Sequence, residues 1–175
     1  MKGFKIALAG TILAALGGCA SSGTSQGIVR GASYLECVPY VRANSMVQLY
    51  GDAYLWWDKA AGIYERGGAP KPGSVLTLTG YAGPKRGHLA VVRAVVSSRE
   101  IRVNHANWLN DGAVHLDNPV QDVSDRNDWT QVRVWNFRTG SWGARLYPVQ
   151  GFIGPQVIAP SLLSRLHEGI ATLGG

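Results

Sequence analysis

Four side chains could do nucleophilic chemistry together: Cys37, His88, His105 and Asn107. A thiolate attacks a carbonyl carbon, one imidazole takes the thiol proton, and a further polar group holds that imidazole by its other nitrogen. Cys37 is the only cysteine left once the N-terminal segment carrying Cys19 is set aside. It lies in SYLECVPYVR, Ser33 to Arg42. Pro39 is tolerated in a first helical turn but not in a helix interior, so Cys37 falls at or near a helix N-terminus. A capping box of Ser33 and Glu36 would start the helix earlier, with Pro39 inside it. On either reading the free N–H groups and aligned dipoles favour thiolate over thiol. The plain alternative is that Cys37 is a small buried hydrophobe.

The other three residues belong to one expected hairpin, His88 to Val96 and Ile101 to Asn107. With Ser97-Ser98 as a two-residue turn, His88 lies opposite Asn107 and diagonal to His105. A longer loop shifts the pairing but keeps all three on one face, because side chains alternate with a period of two. Ala90, Val92, Ala94 and Val96 share that face, which is expected to be buried against helices. Buried imidazoles need hydrogen-bond partners. The three polar groups either satisfy one another structurally or serve Cys37 as base and orienter.

The elements that must position them change character along the chain. After the Cys37 helix, Asp52 can cap a second helix from about Ala53 to Glu65, stopped by Gly67-Gly68. Trp56 and Trp57 read as packing and cleft wall. Past the breaker APKPG at 69–73, short β-branched runs follow at Ser74 to Thr79, in the hairpin, at Gln131 to Phe137 and at Tyr147 to Ile153. Gly80 to Gly87 is a basic loop. Thr139-Gly140-Ser141 is a turn. Asp111 to Asp128 reads as an irregular surface loop, and Pro160 to Leu173 as a short terminal helix. Helices first and consecutive strands after predict an α+β domain with helices on an antiparallel sheet.

The 175 residues suit one domain with a leader and a tail. Residues 1–19 read as an export signal, with Lys2 and Lys5 before an apolar run too short to span a bilayer permanently. The run ends in LGGC, which resembles a bacterial lipobox and makes Cys19 the lipid attachment point. Residues 20–29 are then a Ser/Gly-rich tether, 30–155 the domain and 156–175 the tail. The implied location is exported and periplasmic, anchored to a membrane by lipid. With Ala20 rather than aspartate after the cysteine, outer-membrane sorting fits. Cys37 is then a lone thiol in an oxidising compartment, a candidate for reactivity. The net charge of +6 includes Lys2 and Lys5, and the remaining basic residues are scattered singly. This argues against a nucleic-acid partner and suits an anionic envelope polymer.

Four segments, in order, resemble the CHAP domain (cysteine, histidine-dependent amidohydrolase/peptidase): ECVPYVR at 36–42, PGSVL at 72–76, GHLAVV at 87–92 and VNHANW at 103–108. The resemblance spans roughly residues 30 to 153. It implies a papain-like α+β fold and cleavage of an amide bond in peptidoglycan, either between muramic acid and the stem peptide or within the peptides. It implies Cys37 as nucleophile and His88 as base. Many relatives carry glutamate where His105 stands, so the orienter is His105 or Asn107, with His105 favoured. Trp108 shields the site, the backbone N–H of Cys37 is the first oxyanion donor, and the Tyr34 hydroxyl is a candidate second. Such donors contribute ~3 kcal/mol each. No cofactor is expected. A metal site is disfavoured, because His115 and His167 add no HxxxH or CxxC pairing. Two rivals stand beside this reading: an amidohydrolase of a small non-wall substrate, and a non-catalytic wall-binding scaffold lipoprotein. A regulatory protein partner is compatible with each.

Overall fold

The computed structural model describes residues 26–156. The expected Cys19 anchor, the leader and the terminal helix at Pro160 to Leu173 lie outside them. The chain runs β1 (Gly27–Val29), α1 (Cys37–Asn44), a 3-10 turn (Ala53–Leu55), α2 (Trp56–Lys59), β2 (Tyr64–Gly67), β3 (Val75–Leu78), β4 (His88–Ser97), β5 (Glu100–Ala106), β6 (Val114–Asp122), β7 (Gln131–Asn136), β8 (Ser141–Trp142) and β9 (Tyr147–Gln156). Strand β1 falls inside the stretch read as tether and pairs with β6.

The expected α+β, papain-like architecture is not what forms. Strands pair antiparallel in the order β6-β5-β4-β3-β9-β7, and β7 pairs back onto β6, which closes a six-stranded barrel. Among the described residues only α1 and the four-residue α2 are α-helical. Two misreadings produced the error. The second helix was drawn to Glu65, but Gly62 takes a left-handed φ of 73° and β-branched Ile63 leads into β2. The polar stretch at 111–128 hid β6, the strand that closes the barrel. It contains Pro119, a residue disfavoured inside a central strand. That proline falls between the residues paired to β1 (114–116) and those paired to β7 (120–122), where the outer edge of β6 has no ladder partner.

Alternation along the strands divides the core in two. Leu76, Ala90, Val92, Ile101, Val103, Val120, Val132 and Phe152 fill the barrel. Val75, Leu89, Val91 and Ile153 face outward and receive Tyr40 and Val41 of α1, with Val47 and Trp56. Trp56 is fully buried, and Trp57 packs against this outer layer. Burying large apolar side chains of this kind contributes ~1.5–3 kcal/mol each.

The β4–β5 hairpin turns at Ser98-Arg99, one residue later than expected, with Ser97 paired to Glu100. Bulges between Val92 and Ala94 and between Val95 and Ser97 absorb the offset, so Val91 pairs with Asn104 and Val92 with Val103. That is the register expected at the histidine end. The expected burial against helices is reversed. His88 shares its face with Ala90 and Val92 and looks into the barrel, while α1 packs on the opposite face.

Candidate active site

Helix α1 begins at Cys37, with Glu36 as its extended N-cap residue, so Pro39 sits in the first turn. No capping box forms. Glu36 makes no side-chain cap; its Oε2 instead accepts a hydrogen bond from Asn107 Nδ2 at 2.8 Å. Asn107 follows the last residue of β5 and takes φ 61°, a conformation asparagine tolerates better than most side chains. Its Oδ1 accepts from the Tyr34 hydroxyl at 2.7 Å and from the Gly112 N–H at 3.0 Å. Asn107 thereby ties the start of α1 to the end of β5.

His88 opens β4 at the barrel rim and is almost fully buried. Immediately before it, a Cβ on Gly87 would lie 2.7 Å from the Tyr54 nitrogen, so glycine permits the backbone of the 3-10 turn to close on the site. His88 Nε2 lies 2.9 Å from His105 Nδ1, and His105 Nε2 lies 3.0 Å from Asn118 Nδ2. The second contact to His88 is therefore His105, not Asn107. Trp108 packs edge-on to His88 with centroids 4.9 Å apart, and Tyr81 covers the same ring at 4.9 Å. The Tyr81 hydroxyl donates to the Trp108 carbonyl oxygen, which locks the two rings together.

Cys37 and His88 line one cleft of about 440 Å³, together with Glu36, Tyr81, Lys85 and Arg86. Cys37 is a free thiol, 8% exposed, and so reachable from that cleft. Tyr34 does not line it, and its hydroxyl is occupied by Asn107. The oxyanion role expected of Tyr34 thus has no geometric footing. The basic loop contributes Lys85 and Arg86 to the cleft wall.

Electrostatics set the resting protonation. Burial raises the Cys37 thiol above its ordinary value of 9.0, against backbone N–H groups of Leu89, Val38 and Cys37 that pull the other way. Burial pushes His88 down to about 3 and His105 well below the ordinary imidazole range, and the neighbouring His115 adds to both shifts. The expectation that the helix terminus would favour a resting thiolate is outweighed by desolvation. Within the one cleft, burial thus favours a neutral thiol on Cys37 and a neutral imidazole on His88.

Sequence reasoning missed Tyr81, His115 and Asn118. His115 is fully buried with its ring centroid 5.3 Å from that of His105, and neither of its ring nitrogens has a partner. Strand alternation alone would put His115 and Asn118 on opposite faces, and the irregularity of β6 at Asp117, φ 51°, is what brings both to His105. Among the described residues no group of three or more histidines, cysteines or carboxylates is placed to hold a metal ion.

A buried imidazole at a barrel rim, backed by a second and sharing a cleft with a free thiol at a helix start, suits cysteine-based hydrolysis. Neither a curated protein nor a solved structure matches the chain. Residues 28–107 match the family model described as CHAP domain, a segment that holds Cys37, His88, His105 and Asn107. Over those residues the chain is similar to the CHAP domain, and that likeness supports a cysteine- and histidine-dependent hydrolase at a general level.

Proposed function

We propose that the protein hydrolyses an amide bond of peptidoglycan, at the muramoyl–alanine junction or within the stem peptides, through a thioester on Cys37. The observation that carries the reading is the His88 Nε2 to His105 Nδ1 contact of 2.9 Å beside a free thiol in the same cleft. With Nε2 engaged, Nδ1 is the nitrogen of His88 left for the thiol proton.

In this mechanism His88 takes the proton from Cys37 as the sulfur adds to the amide carbonyl. The protonated ring then gives that proton to the departing amine, and water, deprotonated in turn by His88, releases the acid and restores the thiol. The Cys37 backbone N–H is the first oxyanion donor. His105 steadies the imidazolium through its unprotonated Nδ1. Lys85 and Arg86 suit the carboxylates that stem peptides carry. The leader residues and Cys19 support export and lipid anchoring in the periplasm, which would hold the domain near the wall.

Purified sacculi incubated with the parent and with Cys37→Ala test the proposal. Muropeptides bearing a new amine and a new carboxylate should appear with the parent, and their masses name the bond. Loss of the nucleophile should cost at least ~1000-fold. Equal release by the two folded proteins rules out the cysteine mechanism. Binding without release by the parent favours a wall-binding scaffold.

A further inference from the structure

Asn118 lies on β6, beyond the segment matched by the family model, and is fully buried in the barrel. Its Nδ2 stands 3.0 Å from His105 Nε2, and its Oδ1 has no hydrogen-bond partner. Nothing else therefore fixes which end faces the ring. The oxygen and nitrogen of an amide are told apart by the network they complete.

That network is directional. With His88 as the base, Nδ1 is the nitrogen that takes the thiol proton, because Nε2 is engaged by His105. A neutral His88 with an open Nδ1 carries its hydrogen on Nε2 and donates it to His105 Nδ1. A neutral His105 must then carry its own hydrogen on Nε2. The Asn118 amide stands 3.0 Å from that nitrogen and only its oxygen accepts, so this network requires the amide turned end for end from the placement in which Nδ2 faces the ring. With Nδ2 left facing the ring, both rings would carry hydrogen on Nδ1, and His88 would present an N–H where a base is needed.

We propose that Asn118 is a positioning residue: through Oδ1 it accepts the Nε2–H of His105, sets the tautomer of both rings, and leaves His88 Nδ1 open. The assignment rests on the reading of His88 as the base. In the chemical step one proton passes from Cys37 Sγ to His88 Nδ1, and the hydrogens on His88 Nε2 and His105 Nε2 stay in place.

Ring ¹⁵N NMR on the Cys37→Ala protein reads the tautomers without any substrate. Nε2–H on both His88 and His105 is expected; Nδ1–H on His105 overturns the assignment. Asn118→Leu, which removes the acceptor, should move His105 to Nδ1–H and slow iodoacetamide alkylation of Cys37 by roughly 100-fold at neutral pH. Asn118→Asp keeps an acceptor and should stay within roughly tenfold of the parent. Parent-like alkylation in a folded Asn118→Leu protein also overturns it. If Asn118→Leu does not fold, the parent tautomers and Asn118→Asp decide the matter. Tautomers as stated in a protein that releases nothing from sacculi leave Asn118 assigned and sink the hydrolase reading instead.

Discussion

At the scale of single residues, burial decides more than charge. His88 is pushed down to about 3 by desolvation, so it stays an unprotonated base well below the ordinary imidazole value of 6.5. The acid limb of kcat/KM is therefore expected below about pH 5, and a limb centred near 6.5 would contradict this environment. His105 and Asn107 should separate cleanly. His105→Ala removes the group 2.9 Å from His88 Nε2 and should cost roughly 100-fold in kcat. Asn107→Ala removes the ties to Glu36, Tyr34 and Gly112, so its larger effect should be on stability, ~1–3 kcal/mol by thermal unfolding. The residue types of the site were legible because a lone thiol and two imidazoles are rare and chemically specific. The partners of Asn107 were not, because its left-handed backbone turns the side chain off the strand face that simple alternation assigns.

At the scale of elements, the hairpin was readable and its neighbours were not. Two bulges cancelled a one-residue error in the turn, so the histidine end kept its register although the middle did not. Strand β6 escaped because His115, Asp117, Asn118 and Pro119 look like loop residues, and only the barrel interior gives two of them a reason to be polar and buried. The clamp between β5 and α1 offers an element-level test. Gly112 has φ 66°, and a Cβ there would lie 2.5 Å from the Tyr34 ring. Gly140 has a similar φ of 61° with open space around it. Gly140→Ala should cost only the backbone strain, ~1 kcal/mol. Gly112→Ala should cost ~2 kcal/mol or more and lower kcat as the start of α1 shifts. Equal losses by denaturant unfolding would show that Tyr34 is free to move away.

For the whole molecule, the closed barrel makes three histidines part of the core. The folded values of His88, His105 and His115 all lie below the 6.5 of an unfolded chain. Below pH 6.5 the unfolded chain binds protons that the folded barrel refuses. Stability should therefore fall as the pH drops from 6.5 towards 3, and not above 6.5 on account of these groups. His115 has no partner for either ring nitrogen, so His115→Leu should raise Tm and flatten that acid decline. A lower Tm at neutral pH would mean that the imidazole packs better than its missing partners suggest. Barrel closure itself was not legible, since it depends on pairing between β6 and β7 that no local pattern announces.

The central claim is that the Cys37 sulfur carries the acyl group. Intact-protein mass spectrometry of acid-quenched single turnovers with a soluble muropeptide measures this directly. A mass gain equal to the acyl fragment, located on Cys37 and absent from Cys37→Ala, is the predicted result. Release of the amine product by Cys37→Ala at the parental rate, with no adduct on either protein, would contradict it.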